Sequence, residues 1–212
     1  MPDPSPEAAD LPPTRWALGG AKNTGYGRRF AELVADGADV DGEARLADVL
    51  VGRGARILDA GAGMGRVGAA LAGRGHRVVA AEPDTALVAQ SQATYPELVV
   101  VPREILALDA AALAAVGGPE VFDLIVCVGN VLTFVAEGTE VAVLQRLREL
   151  LAPEGRILVG FHLSGGPASA RSYSPDEFRA DVAAAGLSVQ QHFGGYDLRP
   201  VDADYAVWVL GR

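Results

Sequence analysis

The segment Arg56-Ile-Leu-Asp-Ala-Gly-Ala-Gly-Met-Gly-Arg66, followed by Val78-Val-Ala-Ala-Glu82, carries the residues of this 212-residue chain best suited to holding a ligand. The order reads as a buried strand, a glycine-rich turn, a helix, a second strand and an acid at that strand's tip. Residues of these types in this order hold the adenosine end of a cofactor. Small residues let the backbone close on the ligand, and the acid accepts hydrogen bonds from two ribose hydroxyls. Asp59, just ahead of the glycines, adds a carboxylate beside the turn.

Two glycine registers are present. Gly61-x-Gly63-x-Gly65 gives a turn directly after the strand, while Gly63-Met-Gly65-Arg-Val-Gly68 spells the dinucleotide fingerprint, with Glu82 near the expected distance from Gly63. In the second register the first glycine should follow the strand at once, yet Asp59-Ala-Gly-Ala62 intervenes. A dinucleotide site also presents backbone N–H groups to a pyrophosphate, which an aspartate pointing there would repel. A ligand with an ammonium and no phosphate tolerates that aspartate, and S-adenosylmethionine is such a ligand. An NAD(P)-dependent oxidoreductase is the alternative enzyme, although the chain has no Tyr-x-x-x-Lys pair and little room for a substrate domain. A third possibility is a glycine turn that only packs helix on strand.

The elements that must position these residues alternate. Helical spacing covers 26–37 and 43–51, then strands at 55–59, 76–82, 98–101, 121–128 and 156–163 alternate with helices at 64–74, 84–92, 109–116 and 137–151. Ser174-Pro-Asp-Glu177 carries the side chains of a capping box and opens a further helix closed by Gly186. Strands at 188–193 and 205–210 end the pattern. This is an α/β fold: a Rossmann-like, seven-stranded, mostly parallel sheet with helices on both faces. Only about ten residues join the last two strands, too few for a helical crossover. The last strand is therefore expected to be antiparallel and to insert into the sheet. The expected organisation is a disordered tail over 1–13, a helical cover over 14–53 and the main domain over 54–212.

Composition narrows the partners. A net charge of −9 and a pI near 4.8 oppose binding to nucleic acid or to an anionic membrane. No apolar run reaches spanning length. The first thirteen residues, acidic and proline-rich, lack the basic start and apolar run of a signal peptide, so a cytoplasmic location is expected. Cys127, the single cysteine, lies among Ile125, Val126 and Val128 and reads as a buried structural thiol. No histidine or carboxylate cluster has metal-ligand spacing.

From about Tyr26 onward the chain resembles the class I S-adenosylmethionine-dependent methyltransferases, most of all their small-molecule branch. Ile57-Leu-Asp-Ala-Gly-Ala-Gly-Met-Gly-Arg66 with Glu82 carries the resemblance. It implies S-adenosylmethionine as cofactor and a small-molecule acceptor. Asp59, Ala60, Gly61, Ala62, Gly63 and Gly65 would surround the methionine moiety, and Glu82 with Pro83 the ribose. The family's usual aspartate after strand three, which reads the adenine amino group, is replaced here by Glu104, with Ile105 against the ring; Asp109 competes for that role or caps the next helix. Gly129 and Asn130 would lie beneath the methyl group, with Asn130 contacting cofactor or acceptor unless it merely forms the turn. Tyr26, Arg29 and Gly42–Arg45 resemble the N-terminal lid of related sequences, in which Arg29 or Arg45 could meet a carboxylate.

Methyl transfer from a sulfonium needs alignment and exclusion of water, and a base only if the acceptor must lose a proton. Candidate bases are His162, Tyr173, His192 and Tyr196; His162, ending strand five on the cofactor side, ranks first. His76 enters strand two at the opposite edge and is expected to pack there. A module that binds S-adenosylmethionine without turnover is the remaining alternative. Gly165–Ala170 reads as a mobile acceptor-side loop. The oligomeric state and the atom methylated are not encoded legibly.

Overall fold

The structure, a computed structural model, describes residues 11–23 and 25–212. Of the tail expected over 1–13, residues 1–10 lie outside the described residues. In chain order the elements are α1 (Arg15–Gly19), α2 (Tyr26–Ala35), α3 (Gly42–Val49), β1 (Arg56–Ala60), α4 (Arg66–Gly73), β2 (Arg77–Ala81), α5 (Thr85–Thr94), β3 (Val99–Val101), α6 (Ala110–Ala115), β4 (Phe122–Cys127), α7 (Val131–Phe134), α8 (Glu140–Glu149), β5 (Leu151–His162), α9 (Pro175–Ala184), β6 (Ser188–Phe193) and β7 (Tyr205–Gly211).

The strands of the described residues form one seven-stranded sheet in the order β3-β2-β1-β4-β5-β7-β6. The first five run parallel, as their buried, near-continuous apolar runs require. β7 pairs antiparallel with both β5 and β6, so the short connection does drive the last strand into the sheet. The chain order reverses between β1 and β4, which leaves a crevice at the carboxyl ends of the strands.

Strand alternation sorts the core. Leu58, Ala60, Ile125 and Cys127 face α6, α8 and α9 in one layer. Ile57, Leu124, Val126 and Leu158 face α3 and α4 in the other. Cys127 is fully buried, and burial pushes its thiol far above the ordinary range, so it is the inert packing residue its neighbours implied.

Two boundaries differ from the expectation by three residues or more. The helix expected over 137–151 is α8, Glu140–Glu149, because Thr139 N–H closes a turn on the Ala136 carbonyl before it. β5 starts at Leu151 rather than 156: Leu151 pairs with Phe122, and a register shift between Phe122 and Leu124 takes up the intervening Pro153-Glu-Gly155. The sequence signals missed α1 and α7 altogether. At five and four residues, both are too short to show a period.

Candidate active site

The crevice is a cavity of about 690 Å³. Gly61 and Gly63 line it from the loop after β1, Glu82 and Pro83 from the tip of β2, Glu104 and Ile105 from beyond β3, Gly129 and Asn130 from the tip of β4, and His162 from the end of β5. Thus most of the residues expected at the site converge on one wall. Asp59, Ala60, Ala62 and Gly65 lie behind that wall.

The loop after β1 is held by its own backbone. The N–H groups of Gly61 and Ala62 both donate to the Ala81 carbonyl, at 2.9 and 3.0 Å. Gly61 has φ of +78°, and a Cβ there would sit 2.6 Å from the Val131 methyls, so only glycine fits. Gly65, at φ +84°, enters α4 and would strike Ser91 Oγ at 2.3 Å if it carried a side chain.

Asp59 and Glu82 divide the acidic work. Asp59 is 2 % exposed, and its Oδ2 accepts the Gly68 N–H at 2.8 Å. That N–H belongs to the first turn of α4, so one donor of the helix N-terminus is spent within the protein. The sequence argument against the second glycine register had this aspartate pointing into the ligand site; it is buried behind the cavity wall instead. Burial raises the Asp59 carboxyl to about 7, against the lowering effect of the Gly68 bond and Arg66. Asp59 therefore braces the loop from beneath and does not face the cavity. Strand parity was the signal, since Asp59 shares the face of Ile57, under α4.

Glu82 does face the cavity. Oε2 accepts the Gly63 N–H at 2.8 Å and Oε1 the Asp84 N–H at 2.9 Å. Each oxygen keeps a second lone pair for a ligand. Burial raises this carboxyl to about 6, with the two N–H bonds opposing. The Glu104 side chain makes no hydrogen bond among the described residues, and burial raises its carboxyl as well. Asp109 caps α6 through Ala112 N–H at 2.7 Å, which removes it as the adenine reader.

Asn130 has φ of +75°, a left-handed turn that asparagine tolerates. Its Oδ1 accepts the His162 backbone N–H at 2.8 Å and lies 3.0 Å from His162 Nδ1. The other candidate bases lie elsewhere. Tyr173 is buried and donates to Asp181; His192 stacks on Trp208 at 3.5 Å; the Tyr196 hydroxyl meets that of Tyr205 at 3.0 Å. His76, buried at the entrance to β2, pairs with Asp48 at 2.9 Å, in keeping with packing there.

The roof comes from the N-terminal segment, and its key residues carried no recognisable signal. Trp16 donates from Nε1 to Asp84 at 2.8 Å on one bank and meets Phe134 edge-on at 5.3 Å on the other. Arg15 reaches the Val135 carbonyl at 3.0 Å and Glu140 at 3.2 Å. Asn23 accepts from Ser169 at 2.6 Å, which ties the roof to the loop after β5. Lys22, Tyr26 and Arg29 line the cavity from this side, as do Gly165, Gly166 and Pro167 from that loop. Arg45 is instead committed to Asp39, at 2.6 and 2.8 Å.

A switch-point cavity with a carboxylate at the tip of β2 defines a nucleoside-binding fold suited to S-adenosylmethionine. The comparisons agree. A family model described as "Methyltransferase domain" matches residues 57–155. The structure is similar to that of a TehB-like S-adenosylmethionine-dependent methyltransferase from Corynebacterium glutamicum, with 32% identity, 88% of this chain and 96% of that chain covered, and a TM-score of 0.77. It is similar in fold to the CcbJ methyltransferase from Streptomyces caelestis (20% identity, 89% and 98% covered, TM-score 0.71). A third match is the 1,6-didemethyltoxoflavin-N1-methyltransferase from Burkholderia thailandensis, solved with 1,6-didemethyltoxoflavin and S-adenosylhomocysteine (24% identity, 87% and 86% covered, TM-score 0.60). No curated protein matches the sequence. The chain belongs to the class I S-adenosylmethionine-dependent methyltransferases. It is a methyltransferase enzyme with S-adenosylmethionine as its cofactor.

Proposed function

We propose that the chain methylates a small molecule held under the N-terminal roof. The observation that carries this reading is the roof itself. The segment from Thr14 to Asn23 crosses the cavity and is fastened on both banks, by Trp16 to Asp84 and by Arg15 to Val135 and Glu140. A polymer segment would have to displace it, whereas a small acceptor need only be enclosed. The volume of about 690 Å³ falls within the range of small-molecule sites, roughly 300–1,000 Å³. The acidic balance of −9 argues in the same direction against nucleic acid. Residues 14–53 would then act as a cover and 54–212 as the catalytic domain.

Within that reading Glu82 accepts the ribose hydroxyls and Pro83 borders the sugar. Glu104 and Ile105 hold the adenine, Gly61 and Gly63 approach the methionine portion, and Gly129 and Asn130 lie beneath the methyl group. Asp59, Ala60, Ala62 and Gly65 support the loop from behind. S-adenosylmethionine supplies a methyl group already activated on a sulfonium. The protein's task is to orient the acceptor, exclude water and take a proton where one must leave.

The test is to incubate the protein with a cell extract and S-adenosylmethionine carrying a labelled methyl group, then to separate products by ultrafiltration. Label is expected in a filtrate species chromatographically distinct from unreacted S-adenosylmethionine, and that species should be lost with Glu82→Ala. Label confined to the retained macromolecules would overturn the small-molecule assignment.

A further inference from the structure

We infer that Asn130 is a positioning residue that fixes His162 as a base, so that the acceptor's nucleophile is an O–H or N–H group that loses its proton on methylation. This rests on the methyltransferase reading of the same cavity and adds to it the acceptor's chemistry.

The argument begins with a donor that cannot change. The His162 backbone N–H can only donate, and it points at the Asn130 side chain from 2.8 Å. The side-chain atom it meets must therefore be the carbonyl oxygen Oδ1, whichever way the amide is otherwise drawn. The same Oδ1 lies 3.0 Å from His162 Nδ1. An acceptor facing a ring nitrogen requires that nitrogen to carry the proton. The neutral ring is then the Nδ1–H tautomer, and Nε2 keeps its lone pair. His162 ends β5 on the cavity wall, so this lone pair belongs to a residue exposed to the acceptor's space.

The surroundings leave the ring neutral. Tyr205 on β7 meets it edge-on at 4.8 Å, and Tyr196 is bonded to Tyr205 rather than to the ring. Asp204, ahead of β7, spends a side-chain oxygen on Ser164. The loop Gly165–Pro167 carries no charge, and the charged groups on the cavity wall are Lys22, Arg29, Glu82 and Glu104. Burial lowers the pKa of His162 below the ordinary histidine value, with no opposing carboxylate. Asn130 itself is fixed by its N–H to Gly160 O bond at 3.0 Å and by Thr133, whose hydroxyl donates to the Asn130 carbonyl at 2.7 Å.

The step balances without another reagent. The acceptor's oxygen or nitrogen forms a bond to the methyl carbon as the carbon–sulfur bond breaks, and that electron pair stays on sulfur. The acceptor's proton passes to Nε2. The resulting imidazolium still donates from Nδ1 to Asn130, and Nε2 then releases its proton to water. Acceptors that attack through an aprotic atom would have no use for this arrangement.

The test reads the ring directly. Nitrogen-15 NMR of the cofactor-free protein at pH 8 should show His162 as the Nδ1–H tautomer, assigned by comparison with His162→Gln; the chain has only three histidines. Asn130→Gly removes the acceptor yet tolerates the positive φ, and should release the ring to the Nε2–H form. Asn130→Asp retains an acceptor, tolerates the same backbone, and should raise the His162 pKa. With an acceptor recovered from the labelling experiment, His162→Gln should lower kcat by about 100-fold or more and abolish the acid limb of the pH profile, while S-adenosylhomocysteine affinity stays within about threefold, half a decade or 0.7 kcal/mol. An Nε2–H ring in the unaltered protein, a tautomer unmoved by Asn130→Gly, or an acid limb that survives His162→Gln would each overturn the inference. Failure of the unaltered protein to bind S-adenosylhomocysteine would instead sink the cofactor reading, and the tautomer measurement is independent of it.

Discussion

Asp59 shows how a side chain can shape a ligand loop without facing the ligand's cavity. Its carboxyl occupies the α4 N-terminus at Gly68 and is buried to the point that its pKa stands at about 7. That placement braces the glycine turn and carries a stability cost with a defined pH window. Below the ordinary 3.8, the carboxyl is protonated in both folded and unfolded chains, and there is no cost. Between 3.8 and about 7 the unfolded chain ionises first, so stability falls as pH rises; above about 7 the cost is complete. At about 1.36 kcal/mol per pH unit this reaches a ceiling of about 4 kcal/mol. Asp59→Asn keeps an oxygen for the Gly68 N–H and cannot ionise, but buries an amide N–H₂ at a cost of about 1–3 kcal/mol. Urea unfolding should therefore find the variant about 3 kcal/mol better, relative to the native chain, at pH 8 than at pH 4. A difference in stability that does not vary with pH would show that Asp59 bears no such cost.

At the scale of elements, the site depends on two covers tied to one carboxylate. Glu140, in the first turn of α8, binds Arg15 from the N-terminal segment at 3.2 Å and Arg171 from the loop before α9 at 2.6 Å. Burial works to raise its pKa, yet its own backbone N–H, Arg171 and Arg15 together hold it below the usual 4.5. Its contribution is thus fully present above that value and lost as pH falls through the lowered one. Glu140→Gln should cost about 1–3 kcal/mol and speed proteolytic cleavage within residues 11–23 while the sheet stays protected. Unchanged cleavage there would mean that the ties of Trp16 to Asp84, Arg15 to Val135 and Asn23 to Ser169 secure the roof without Glu140. The parts of this scheme differed in how readable they were. β1 through β4 announce themselves by apolar runs, and the inserted β7 by the shortness of its connection. α1 and α7 do not, because Trp16, Arg15 and Phe134 acquire their meaning only from partners more than sixty residues away. Glu82, Glu104 and Asn130 could be placed at the cavity because strand tips are legible. The direction in which Asp59 points needed strand parity, and the tie between Asn130 and His162 needed the adjacency of β4 and β5.

The whole molecule carries a net charge of −9, and the two ligands of one turnover differ in charge. S-adenosylmethionine holds a sulfonium, an ammonium and a carboxylate, for one net positive charge; S-adenosylhomocysteine lacks the sulfonium and is neutral. An acidic molecule should therefore draw the donor in from a distance and leave the product unsteered. Close to the cavity the field is mixed, since Lys22 and Arg29 line it together with Glu82 and Glu104. The long-range part is the part that salt removes, as the Debye length shrinks from about 30 Å at 0.01 M to about 3 Å at 1 M. Stopped-flow association rates should fall by about tenfold for S-adenosylmethionine across that range, and by less than about twofold for S-adenosylhomocysteine. Dissociation rates should change little for either, because Glu82 and the loop after β1 hold the nucleoside through short-range bonds. Equal salt slopes for the two ligands would mean that Lys22 and Arg29 cancel the molecular field at the mouth. A steeper slope for the donor would mean that the acidic surface sets how fast each catalytic cycle begins.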